Sequence, residues 1–186
     1  MSKTKVLALW RDEKMNKEEA RILRTPCAEI PAPFGPESRR DIQLLLESFL
    51  ERDDALGLAA PQIGVSKRVI AFRNKNFEIK GRFNLADCDV LINPRITQSR
   101  GEPVKGMEGC LSCPDLQVEI DRFPEIKVRA LDREGRKISR RYTDFIARIV
   151  QHEMDHLDGK LIVDYDGAAY VPEKNKGFFD RLFKKV

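Results

Sequence analysis

Both histidines of this 186-residue chain lie four positions apart, in the stretch "QHEMDH" from Gln151 to His156. Four positions is about one helical turn, so in a helix the two imidazoles project the same way. The flanking residues predict that helix. Phe145, Ile149, His152 and His156 fall on one stripe, and Ile146, Val150, Glu153 and Leu157 fall on the neighbouring one. Both histidines therefore continue an apolar face, which has to point inward. The helix is expected to begin near Thr143 and to end at "LDG", where Gly159 can take the left-handed stop conformation.

Such a helix needs a cover, and the remaining patterns supply strands. Short β-like runs stand at 67–72 ("KRVIAF"), 89–93 ("DVLIN"), 116–120 ("LQVEI") and 125–131 ("EIKVRAL"). "LQVEI" alternates apolar and polar residues as a half-buried strand should, and "DREG" predicts a hairpin turn into "RKISRRY". An earlier amphipathic helix carries Ile42, Leu45, Leu46, Phe49 and Leu50, with Ser38 as its expected N-cap. No regular βαβ alternation is present. The expected class is α+β, with a largely antiparallel β-sheet packed around the central helix that carries the histidines.

The length suits one domain over 1–186, entered through an irregular approach segment at 26–36 that holds four prolines. With 41% hydrophobic and 34% charged residues, composition excludes both disorder and a membrane protein. The run "VLALW" is too short for a signal-peptide core or a membrane span, so a cytoplasmic location with no membrane contact is expected. In that setting Cys27, Cys88, Cys110 and Cys113 read as free thiols or ligands rather than as a disulfide framework. The net charge of +4 is spread along the chain and does not argue for a nucleic-acid-binding function.

The chemistry of "HEMDH" is that of a metal site: two imidazoles one turn apart, with Glu153 beside them to handle protons. Two buried histidines in ordinary hydrogen bonds are the plain alternative. A catalytic metal of this type takes three protein ligands and keeps one open position. No third histidine exists, and Glu173, the one glutamate after the motif, lies in a polar stretch without helical periodicity. Cys110 and Cys113, in the turn-rich "KGMEGCLSCPD", offer thiolate, a strong ligand for zinc and iron alike. Spacing alone does not choose between them. If the segment is extended, residues three apart face opposite sides, so one thiol would face the metal and the other would not. A redox role for C-x-x-C would need a neighbouring βαβ pattern, which is missing. In "GLAAPQIG", two glycines and a proline surround one amide side chain, Gln62, which could donate to a developing oxyanion or serve a tight turn.

Taken in order, "GLAAPQ", "EGCLS" and "QHEMDHL" resemble the motif set of the peptide deformylases, with supporting similarity from about Asp54 through Asp164 that includes "VLINP" and "EIKVRALDREG". The resemblance implies removal of the formyl group from N-formylmethionyl nascent peptides by an α+β enzyme, typically with Fe2+. The donor set would also suit Zn2+, Ni2+ or Co2+. It implies Cys110, His152 and His156 as metal ligands, Glu153 as the acid/base, and Gln62 with the Leu111 amide as the oxyanion hole. Backbone near Leu56, Gly57 and Leu58, and near Glu108, Gly109 and Cys110, would hold the peptide as an added strand. Phe145 and Ile149 would help line a methionine pocket. Two positions depart from the family pattern: Ala55 adds a methyl where the family has glycine, and Cys113 adds a second thiol.

Two rival activities share the helix. Any H-E-x-x-H site can hydrolyse amides, so a peptidase is one, although a cysteine ligand argues against the common types. A metal that only staples the fold is the other, and Glu153 argues against it, since a structural site needs no acid/base. The tail at about 174–186 has an apolar stripe of Phe178, Phe179, Leu182 and Phe183 opposite a basic face. A helix docked on the core is expected there, with ribosome contact as the sharper alternative.

Overall fold

The computed structural model describes residues 4–75, 77 and 84–183. A short hairpin, β1 (Trp10–Arg11) and β2 (Lys14–Met15), leads into α1 (Lys17–Leu23) and α2 (Pro36–Leu50). Then come β3 (Gly57–Ala59), β4 (Val69–Arg73), β5 (Cys88–Arg100), β6 (Val104–Cys110), β7 (Cys113–Arg122), β8 (Glu125–Leu131) and β9 (Lys137–Thr143). The chain closes with α3 (Asp144–Leu157), β10 (Ala169–Tyr170) and α4 (Lys176–Phe183). Strands order as β3-β4-β5-β8-β9 in one sheet and β10-β7-β6 in another, with every strand pairing antiparallel. The α+β class stands, and α3 carries "HEMDH" as expected.

The five-stranded sheet is buried on both faces where β4 runs. Ile70 and Phe72 pack toward α3 with Val150, Met154 and Leu157, while Val69 and Ala71 pack toward α2 with Leu45, Leu46 and Phe49. A strand covered on both sides has no polar face to show, which is why "VIAF" reads as a continuous apolar run. The helix stops as predicted: Gly159 sits at φ +74°, where an added Cβ would meet the Arg24 backbone.

Three expectations are corrected. Helix α2 begins at Pro36 behind Gly35, so Ser38 lies inside the first turn rather than capping it; proline at the start has no N–H to orphan. Strand β5 continues past Asn93 through Pro94 to Arg100, with a register shift between Ile92 and Arg95 that accommodates the proline. The segment "VKGMEGC", read as turn-rich, is the strand β6. Its two glycines weaken its own preference, and pairing with β7 decides its state.

The proline-rich approach is pinned rather than loose. Cys27 N–H donates to the Leu157 carbonyl at the end of α3, and the Asn93 amide exchanges two hydrogen bonds with the Ile30 backbone at 2.9 and 2.8 Å. Near the other end of the fold, Phe178 and Phe179 of α4 are buried and set their rings edge-on to Trp10, at 6.0 and 5.4 Å between centroids. Of the tail's apolar stripe, Phe178 and Phe179 are buried in the core, Leu182 packs against it half-buried, and Phe183 is exposed. The tail's residues 184–186 lie outside the described ones.

An amino-terminal segment laces two site-bearing loops together, which nothing in the sequence pattern announced. Leu7 N–H donates to the Gln62 carbonyl at 2.7 Å and Leu9 N–H to the Ser112 carbonyl at 2.9 Å. Glu19 holds this segment from α1, accepting from Ala8 N–H at 2.7 Å, from Lys5 and from Arg11. Burial would raise the Glu19 carboxyl, but Lys5, the Ala8 amide and Arg11 bring it below the ordinary 4.5. A carboxyl depressed on folding contributes stability above its unfolded pKa and loses that contribution as pH falls through the folded one. In denaturant unfolding between about pH 6 and pH 3, Glu19→Gln is therefore expected to narrow its stability gap to wild type as pH falls below about 4.5. A gap that stays constant over that range would refute the assignment.

Candidate metal centre and cleft

Helix α3 places His152 and His156 one turn apart, with ring centroids 5.2 Å from each other. Strand β6 ends on Cys110, whose Sγ lies 3.3 Å from His156 Nε2. The ligand atoms of Cys110, His152 and His156 all fall within 4.8 Å of one another. Metal–sulfur and metal–nitrogen bonds of about 2.3 and 2.0–2.1 Å put a single ion within reach of all three. Two further buried atoms fit that use: among the described residues, Glu153 Oε2 and His156 Nδ1 have no hydrogen-bond partner.

Glu108 lies behind His152. Glu108 Oε2 is 2.9 Å from His152 Nδ1, an acceptor for that nitrogen's proton, which would leave Nε2 free to coordinate a metal. The carboxylate is held in turn by both arms of Arg122 at 2.9 Å each and by Arg148 Nη1 at 2.8 Å. Arg122 Nη1 continues to Asp155 at 2.8 Å and to the Tyr165 hydroxyl at 2.7 Å. Burial would raise the Glu108 carboxyl, yet these hydrogen bonds, Arg122 first, hold it down at about 2.

Expectation and structure disagree about the two thiols. Cys110 and Cys113 are register partners across the Leu111–Ser112 turn, and opposed residues in an antiparallel pair share a face. They therefore approach each other rather than facing opposite ways, because a hairpin and not one extended strand joins them. The Cys113 thiol, itself pushed up, is the leading influence that lowers Cys110 against its burial, and His156 and His152 reinforce it. Of the two thiols, Cys110 is the one whose surroundings favour the thiolate. Cys113 is fully buried, packed with Leu116 and Phe179.

Around this cluster opens a cleft of about 810 Å³. Gln62 reaches it in one orientation, with Oε1 accepting from Ala59 N–H at 2.9 Å and Nε2 3.2 Å from Ser112 Oγ and 3.9 Å from Cys110 Sγ. Leu111, Leu56, Gly57, Gly109, Phe145, Ile149 and Glu153 also line it. Gly57 lies directly against Glu153: a Cβ there would stand 2.7 Å from the Glu153 Cδ. Burial pushes Glu153 up to about 7, with the two histidines opposing that rise.

The Leu58 side chain is fully buried against α2, so the peptide contact expected there falls to its backbone on the edge strand β3. Glu108 directs its carboxylate at His152 and two arginines, so the contact expected there likewise falls to its backbone, on the edge strand β6. An added peptide strand requires such edges. Arg122, Arg148, Tyr165, Asp155, Ser112 and Tyr170 escaped the sequence reading. For the arginines no signal existed, since their partners come from other elements.

The pattern of the polypeptide deformylase family matches residues 13–169. The chain belongs to the peptide deformylase family. Peptide deformylase 1 of Bacillus subtilis is 36% identical over 162 residues, which cover 87% of this chain and 94% of that protein. Among solved structures, a class I type b peptide deformylase from Acinetobacter baumannii is similar with TM-score 0.71 at 31% identity, covering 88% and 99% of the two chains. A peptide deformylase from Synechococcus elongatus, solved in complex with actinonin, has TM-score 0.71 at 31% identity over 97% and 86%. Peptide deformylases are metal-dependent hydrolases that remove N-formyl groups from nascent peptides, and this chain is one of them.

Removing Arg122 would leave a buried carboxylate short of its bidentate partner. Arg122→Met is expected to cost about 3–5 kcal/mol in chemical unfolding. A loss under about 1 kcal/mol would show that Arg148 alone suffices for Glu108.

Proposed function

We propose that residues 1–186 form one catalytic domain in which Cys110, His152 and His156 hold a divalent metal, Fe2+ in the cell, for deformylation of N-formylmethionyl peptides. The observation that carries this is the convergence of one thiolate and two imidazoles beside a buried carboxyl raised to about 7. A metal ion held there would supply Lewis acidity, lowering the pKa of water from 15.7 to roughly 7 and polarising the formyl carbonyl. Glu153, the acid/base, takes a proton from the attacking water and returns it to the departing amine. Gln62 Nε2 and the Leu111 amide donate to the oxyanion that forms on the formyl oxygen. The C–N bond then breaks, giving formate and a free amino terminus. Peptide backbone lies between the free edges of β3 and β6, with the methionine side chain against Phe145 and Ile149.

The test joins metal analysis to formate release on anaerobically purified protein. Cys110→Ala is expected to lose the metal and nearly all activity, whereas Cys113→Ala keeps both. Glu153→Ala is expected to keep the metal and lose about 10²–10⁴ in turnover. Metal loss confined to Cys113→Ala, or internal peptide cleavage without formate, would reject the reading. Zinc, nickel or cobalt in place of iron would reject only the choice of Fe2+.

Among the described residues no helix is long and apolar enough to cross a membrane. Ribosome contact would use the outer side of the tail, where Lys174, Lys176 and Arg181 stand exposed while Phe178 and Phe179 are buried in the core. Lys174→Glu with Lys176→Glu is expected to weaken salt-sensitive co-sedimentation with ribosomes. Unchanged co-sedimentation would dismiss that contact.

A further inference from the structure

Helix α2 covers only part of one face of the five-stranded sheet. On that side Ile92 and Leu131 pack with it, and the strand residues beyond them are exposed or half-buried. The register identifies those residues. Arg129 and Lys127 follow Leu131 at two-residue steps along β8, so they share its face. Opposed residues share a face too, which adds Arg95 and Gln98 from β5 and Lys137, Ser139 and Arg141 from β9. Arg100, Glu125 and Thr143 form the last row. The other face of the same strands, with Ile126, Val128 and Ala130, is turned to α3.

Charge that reads as evenly spread along the sequence is segregated here. Six cations of these strands stand on the outer face against the one carboxylate of Glu125, an excess larger than the +4 of the whole chain. Glu125 pairs with Arg100 and Arg141, and Glu29 reaches Arg95 from the proline-rich approach. Ion pairs thus reach three of the six, and Lys127, Arg129 and Lys137 are left without a carboxylate among the described residues. Two pairs of like charge also lie directly opposite each other, Lys127 with Arg141 and Arg95 with Arg129. Like charges opposed across a strand pair weaken a sheet, so folding does not account for this arrangement, and a polyanion would relieve it.

The kind of polyanion follows from what else the face carries. None of the residues that the register places there has an aromatic ring on which an unpaired base could stack. Its uncharged members, Gln98, Ser139 and Thr143, are side chains that contact phosphate and sugar. Three strands side by side span about 10 Å and present a broad, shallow surface. The major groove of B-form DNA takes a helix or a two-stranded ribbon, whereas the A-form minor groove is wide and shallow and displays 2′-hydroxyls. We propose that the outer face of β5, β8 and β9 binds the backbone of double-helical RNA without reading its sequence. It lies across the sheet from α3 and the metal cluster, so this binding leaves the cleft free.

Fluorescence anisotropy of a short labelled RNA duplex, titrated with the full chain, tests this. With three or four phosphates neutralised, affinity is expected to fall roughly 40- to 150-fold between about 50 and 200 mM salt. Lys127→Gln, Arg129→Gln and Lys137→Gln together are expected to flatten the slope of log affinity against log salt by about three, with formate release unchanged. The same number of charges removed from the amino-terminal hairpin and α1, by Lys14→Gln, Lys17→Gln and Arg21→Gln, is expected to leave that slope near wild type. Equal losses in the two triple variants would reveal an effect of net charge alone and overturn the face. No RNA binding by wild type at about 50 mM salt would overturn it as well. Equal affinity for a DNA duplex of the same sequence, or binding only to phosphatidylserine vesicles, would overturn RNA as the partner.

Discussion

A carboxylate sealed inside a protein is unstable without cations, and Glu108 is sealed with only 5% of its side chain exposed. Its solution draws in most of the molecule. Arg122 comes from the end of β7, Arg148 and His152 from successive turns of α3, and Asp155 and Tyr165 complete the far side of Arg122. The small sheet and the central helix are thereby locked in one relative position. The His152 imidazole is aimed by the same contact. Stability and chemistry share a single ion network, so a defect in either should register in the other.

Around that lock, two sheets stop at the same gap. Strand β3 is the last of the five-stranded sheet and β6 the last of the three-stranded one. Each has an unpaired edge where most proteins blunt theirs. Here the cleft lined by both strands also holds Glu153 and, at the end of β6, Cys110, and it is where the proposed peptide strand would lie. The amino-terminal segment then bridges the loops that follow these strands, hydrogen bonding to Gln62 and to Ser112. The cleft therefore has a fixed width before any peptide enters, which lowers the ordering cost of binding.

Much of this was legible beforehand. The helical stripe through Phe145, Ile149 and both histidines placed the central helix, and the alternation in "LQVEI" placed β7 and its buried face. What failed did so for tertiary reasons. Strand β6 is glycine-rich and exists because β7 supplies its hydrogen bonds, so local propensity under-reads it. Missing that strand also misplaced Cys113, since the geometry of a hairpin and that of a single extended run give opposite answers for residues three apart. The role of Glu108 was hidden because its partners arrive from β7 and α3, far along the chain. Spacing placed the two histidines one turn apart, but it could not find what orients them.

The contact between Gly57 and Glu153 has a consequence for how this site can drift. The absent side chain at position 57 is the volume that the carboxylate occupies, so the two positions compete for one space. Position 57 is closed by the side chain of Glu153, the proposed acid/base, rather than by the backbone of the fold. A lineage that lost Glu153 for a smaller residue would release position 57 to accept alanine or serine, and once filled it would bar the way back. The site therefore behaves as a ratchet: inactivity, once both positions have moved, is not reversed by restoring the glutamate alone.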